Sequence, residues 1–210
     1  MRIIHLSFLS ILLTTAVVGN ETISKENLFD FLHSKQYLKT NFTQTTLVDL
    51  NERVVSGNIQ ASRSGNFKIE YHDPIKETIS ADKEFLYKLD TELEQLDIVP
   101  REEYFKNTPI SILISNIENL KKLYSINSCI QENNKTVCSL STKDDNSFVE
   151  KIFLQFVATE LDSLTYLDSF GQSVIFDFDD ISWEPFSENQ LFISIPEGID
   201  VVYHLSLIHI

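Results

Sequence analysis

Three carboxylates crowd together in "VIFDFDD", where Asp177, Asp179 and Asp180 have the residue types for paired acid–base work or for holding a cation. Their spacing argues otherwise. Asp177 and Asp179 alternate with Val174, Phe176 and Phe178 in steps of two, so on a strand they point away from the apolar side and read as a solvated face. Asp144-Asp145 sits in a polar stretch without the spacing of a calcium loop. His33, His72 and His204 form no metal-ligand motif, and no G-x-S-x-G, phosphate loop or H-E-x-x-H occurs. Serine, aspartate and histidine are numerous enough that counting does not dispose of a triad, so a secreted lipid hydrolase stays open as an alternative. The preferred reading assigns no catalytic residue, no metal and no cofactor.

The two cysteines are easier to place. In "CIQENNKTVC", Cys129 and Cys138 lie symmetrically about Asn133-Asn134, a pair that tolerates the left-handed backbone of a two-residue type I′ turn. Counting outward from that turn puts 129 opposite 138 in the non-hydrogen-bonded class, where Cα atoms come within disulfide reach at about 4.5 Å. A disulfide needs an oxidising compartment. Met1-Arg2 followed by an apolar run to Val18, with small residues up to Gly19, predicts a secretory signal over residues 1–19. An uncleaved N-terminal anchor is the alternative to cleavage, and two buried free thiols are the alternative to the bond. No cysteine stands near the cleavage position, which predicts a mature chain without an N-terminal lipid.

Arg63 raises a different question. "NIQASRSGNFKIEYHDP" reads as a hairpin with Ile59, Ala61, Phe67, Ile69 and Tyr71 on one apolar face. A two-residue turn at Ser64-Gly65 would set Ala61 against Lys68. A three-residue loop, Arg63-Ser64-Gly65, matches the faces instead, pairing 61 with 67, 59 with 69 and 57 with 71, with Gly65 at the left-handed position. Arg63 then stands at the mouth of an apolar basin, its stem over hydrocarbon and its head at the rim. Five donors and no acceptor make that head a seeker of carbonyl oxygens, which helix C-termini supply. An ordinary surface arginine beside a turn is the alternative.

The elements that position these residues follow from pattern. Over 210 residues, hydrophobic types make up 42% and charged types 23%, enough for one domain with a substantial core. Fifteen Phe and 7 Tyr against 5 Gly and 5 Pro favour an aromatic-rich β protein. A formal charge of −14 without a basic run argues against nucleic acid as a partner. Ser24 can cap a helix carrying Leu28, Phe31, Leu32 and Leu38 to about Thr40. Strands are expected at 42–50, 53–62, 66–72, 75–81, 84–89 and 93–99. Thr108 and Pro109 then open a second helix with Ile110, Leu113, Ile114, Ile117 and Leu120 on one stripe. Strands resume in the cysteine hairpin and at 148–157, 161–168, 173–181 and 190–195. This order predicts a curved antiparallel sheet with helices on its concave side, a single domain over residues 20–204. Residues 205–210 read as a non-native tail.

"NFTQT", "SRSGNFKIEYHDP", "ISADKEFLYKLDTELEQLDIVP", "NTPISILI", "YLDSFGQSVIFDF" and "LFISIPEGIDV", in this order and spacing, together resemble the periplasmic outer-membrane lipoprotein carrier family, LolA. The resemblance runs from about residue 24 to 202. It departs at Ser64, where the family usually has proline, at the cysteine pair, and at the single Pro196. It implies an α+β, mainly β fold: a half-open antiparallel β-barrel with short helices forming a lid over a hydrophobic cavity. It also implies a chaperone, not an enzyme, in the periplasm of a Gram-negative bacterium. Such a carrier takes triacylated lipoproteins from an inner-membrane ABC transporter to an outer-membrane receptor, and the chain is expected to act as a monomer. The arginine matching Arg63 would hold the lid shut through carbonyl bonds. Ile59, Phe67, Ile69 and Tyr71 are the expected cavity wall, and Leu28, Phe31, Leu32, Ile110, Leu113 and Ile114 the expected lid contacts; ordinary core packing is the alternative for each. A carrier of free lipid or glycolipid would share fold and cavity.

Overall fold

Alternation of apolar and polar residues carries through the computed structural model, which describes residues 22–48, 51–101, 109–145 and 147–204. The expected signal segment, the Thr108 cap and the tail lie outside those residues. Twelve strands are present among them: β1 (Tyr37–Val48), β2 (Asn51–Ser62), β3 (Phe67–Asp73), β4 (Glu77–Ala81), β5 (Phe85–Asp90), β6 (Gln95–Pro100), β7 (Tyr124–Glu132), β8 (Lys135–Thr142), β9 (Val149–Val157), β10 (Glu160–Asp168), β11 (Ser173–Ser182) and β12 (Asp200–Tyr203). They form one sheet in the order β12-β6-β5-β4-β3-β2-β1-β11-β10-β9-β8-β7. All neighbours are antiparallel except β12 and β6. The two ends do not pair with each other, so the sheet curls into a half-open barrel.

Among the described residues three short helices, α1 (Leu28–Ser34), α2 (Ser111–Ile114) and α3 (Ile117–Leu123), share a core with the inward face of the sheet. None is long enough to be stable alone, so their order comes from the apolar side chains they bury. Leu28, Ile112, Ile114 and Leu120 have no solvent exposure, like Ile152, Leu154 and Phe156 of β9. Among the described residues no helix is long and apolar enough to cross a membrane.

Three boundaries differ from the expectation. The first helix stops at Ser34 rather than Thr40, and Leu38 belongs to β1, where it pairs with Ala61 and is buried. Leu38 satisfies a helical stripe and a strand's inward face equally well; the ladder to β2 decides it. The second helix is two. Ser115 turns extended, and the Asn116 side chain accepts the Asn119 N–H at 2.9 Å, capping α3. Asparagine is far better as a cap than inside a helix. Finally, residues 190–195 are not a strand. Glu188–Leu191 makes a 3-10 turn that buries Leu191, whose carbonyl accepts the Ser80 hydroxyl, and pairing resumes only at β12.

The cysteine hairpin has the expected register, with Glu132 opposite Lys135 and Cys129 opposite Cys138. The two sulfurs are bonded and the Cα atoms lie 4.0 Å apart. Of the two turn residues only Asn133 takes a positive φ, +56°, so the turn is not type I′. The bond staples β7, an end strand of the sheet, to β8. A loop this short gives a chain-entropy contribution of about 2–3 kcal/mol. Urea unfolding of the Cys129→Ala/Cys138→Ala variant is expected to show a loss of that size, and wild type in reductant should approach the same midpoint.

Candidate functional site

The β2–β3 hairpin pairs Ala61 with Phe67, Ile59 with Ile69 and Gly57 with Tyr71, leaving Arg63-Ser64-Gly65 as its loop. Gly65 has φ +96°, and a Cβ there would stand 2.5 Å from Arg101 Nη2, so glycine is required on both counts. The loop aims Arg63 inward, where it is 8% exposed. Its Nε donates to Lys35 O at 3.1 Å, Nη2 to Leu32 O at 2.6 Å, and Nη1 to Ile112 O at 3.2 Å and Ser115 O at 2.7 Å. Two of these carbonyls close α1 and two close α2. They are helix-end acceptors carrying the negative end of each helix. Among the described residues no carboxylate lies within ion-pair distance of Arg63. Burial pushes its pKa down to about 10, which still leaves a cation at neutral pH.

The loop is itself held from two sides. Glu188, on the 3-10 turn, accepts from the Ser62 hydroxyl at 2.6 Å and from the Asn66 amide at 3.1 Å. Arg101, just past β6, donates through Nη2 to Gly65 O at 2.8 Å and through Nη1 to Asp82 O. The segment after β11 thus straps the base of the arginine loop to the body of the sheet.

Beneath the lid lies a cavity of about 390 Å³. Ile59, Phe67, Ile69 and Tyr71, the expected wall, all line it, as do Ile110 and Leu113 from the lid side. Leu28, Phe31, Leu32 and Ile114 do not; they are packed into the shared core, with Phe31 edge-on to Phe156 at 5.7 Å. The opposite wall, missed from sequence, is Leu164, Tyr166, Phe176 and Phe178 of β10 and β11, with Phe148 at the rim. Their alternation was visible, but only the curl of the sheet sets them across from β2 and β3. Polar groups are few: Tyr71 donates its hydroxyl to Gln44 Oε1 at 3.3 Å. Asp177 and Asp179 are exposed on the other face. The arrangement is suited to apolar solvation.

Glu188 gives a pH signature. Its hydrogen bonds, from Ser62 first, hold the carboxyl below its ordinary pKa of 4.5. The strap therefore contributes stability that is full above that value and is lost as pH falls through the lower folded-state pKa. Glu188→Gln is expected to flatten the acid limb of a stability–pH curve below about pH 5, leaving the neutral limb's shape unchanged; an unaltered acid limb would show that the strap contributes nothing.

Comparison with known proteins agrees with this geometry. The family model described as outer membrane lipoprotein carrier protein LolA matches residues 33–193. The outer-membrane lipoprotein carrier protein of Methylobacillus flagellatus is 26% identical over 180 residues, covering 84% of this chain and 87% of its own. That of Chromohalobacter salexigens is 28% identical over 185 residues, covering 87% and 88%. A crystal structure of an uncharacterized conserved protein from Thermus thermophilus shares the fold, with a TM-score of 0.55 at 10% identity over 85% of this chain and 98% of that one. The family match takes in the arginine loop, α2, α3 and eleven of the twelve strands given above. This chain belongs to the outer membrane lipoprotein carrier family, LolA.

Proposed function

We propose that this protein is a periplasmic chaperone that shields the acyl chains of lipoproteins and carries them from an inner-membrane ABC transporter to an outer-membrane receptor. One observation carries the proposal: an apolar hollow whose lid is fastened by a buried arginine. Family membership and relatives named as lipoprotein carriers support it. So do the signal-like residues 1–19 and a disulfide, which suits an oxidising compartment.

The energetics fit a shuttle. Three acyl chains of roughly 16 carbons, at about 0.8 kcal/mol per methylene, would cost on the order of 38 kcal/mol to expose to water. Shielding has to approach what the bilayer offers while still permitting release. The latch supplies the release term. Each charge-assisted bond of Arg63 is worth about 1.5–3 kcal/mol net, and all four form only when α1 and α2 are closed over the loop. Cargo that opens the lid must break them, so their re-formation favours unloading. A ligand's apparent affinity falls by whatever stabilises the state that cannot hold it.

Arg63→Leu keeps the bulk and removes the donors. Pickup of labelled lipoprotein is expected to persist, apparent affinity to rise by about tenfold or more, and handover to receptor-bearing membranes to slow. Unchanged handover would remove Arg63 from the mechanism. Incubation with labelled lipoprotein separates carriage from hydrolysis, since a carrier yields a soluble complex and a hydrolase yields cleaved product.

A further inference from the structure

One exposed aromatic has no place in the closed site. Phe170, at the tip of the β10–β11 turn, is 77% exposed, yet its turn is tightly built. Asp168, itself 3% exposed, accepts the N–H groups of Phe170 at 2.9 Å and of Gln172 at 2.8 Å through one carboxylate oxygen. Its backbone N–H bonds Gln172 O, its carbonyl takes the Gly171 N–H, and Gly171 has φ +79°. A buried carboxylate and a left-handed glycine thus hold a large apolar ring out in water. The ring lies 5.5 Å from that of Phe148, and the Ser169 N–H ties the turn to Phe148 O at 2.9 Å. Phe148 lines the cavity and is 38% exposed. Phe148 therefore joins the hollow to the exposed ring of Phe170.

Volume says what would use that surface. If a methylene fills about the same space as a liquid water, ~30 Å³, three chains of roughly 16 carbons need on the order of 1,400 Å³, several times the hollow of about 390 Å³. Resting on that function, we infer that Phe148 and Phe170 form an outer acyl-chain subsite, a fixed aromatic ledge that carries the part of a saturated chain emerging from the hollow. Aromatic faces suit this task because they offer area without losing rotamer freedom when covered. The chain's net charge of −14 makes an anionic bilayer a poor occupant for the same ledge.

The test is a chain-length series. Saturated fatty acids from about 8 to about 18 carbons displace a fluorescent fatty-acid analogue from wild type and from Phe170→Ser. For the shorter chains, up to the length that the hollow holds entire, both proteins are expected to gain about fourfold in affinity per methylene, the value for full burial. Beyond that length wild type should keep gaining roughly twofold per methylene, as for half-covered groups, while Phe170→Ser levels off. Phe170→Leu, which keeps apolar area, should restore most of the rise. Parallel curves at every length would overturn the ledge and leave the carrier reading standing. Failure of every chain to bind wild type would overturn both.

Discussion

A guanidinium that is 8% exposed, with no carboxylate beside it among the described residues, is stable only while carbonyl oxygens meet its donors. Arg63 spends four of five N–H groups on the C-terminal ends of two helices. Those helices are too short to persist without tertiary contacts, and their ends need donors as much as the arginine needs acceptors. The sheet, the loop and the lid are thereby made conditional on one another. If the lid opens as proposed, both partners regain water when they part, so the proposed latch would cost little more than its net bond energies to release.

Around that arginine, apolar residues divide into two duties. Leu28, Phe31, Leu32, Ile112 and Ile114 fill the space between helix and sheet and give the lid its stability. Ile59, Phe67, Ile69, Ile110, Leu113, Phe176 and Phe178 face the hollow. Protein interiors normally close to crystal-like density, so a lined void of this size forgoes contacts that a better-filled core would have. The proposed hydrocarbon cargo would account for the forfeit. The strap through Glu188 and the clamp from Arg101 hold the loop still, and with it the arginine's aim.

Much of this was legible in the residues. The three-residue loop and its glycine followed from matching apolar faces, but the rim position expected for the Arg63 head is replaced by a buried one against α1 and α2. The symmetry of Cys129 and Cys138 about two asparagines located their pairing, though Asn134 does not take the second left-handed position. What stayed hidden is what depends on curvature. An apolar stripe on α1 and α2 shows which side is buried but not which of its members meets a void, so Leu28 and Leu113 look alike until the sheet curls over them. The same curl brings β10 and β11 across from β2 and β3. Two errors were competitions between equal patterns: Leu38 fits a helix or a strand, and Leu191, Ile193 and Ile195 alternate like a strand while only Leu191 is deeply buried.

The most direct measurement is the Arg63 Nε–H resonance by nitrogen-15 NMR, followed as an acyl ligand is titrated in. The empty protein should show it in slow exchange with water, because it is buried and bonded to Lys35 O. Loading should bring it into fast exchange as the lid parts from the loop. A signal that stays protected in the loaded protein would mean that the arginine is a permanent strut, and that the hollow fills without any latch giving way.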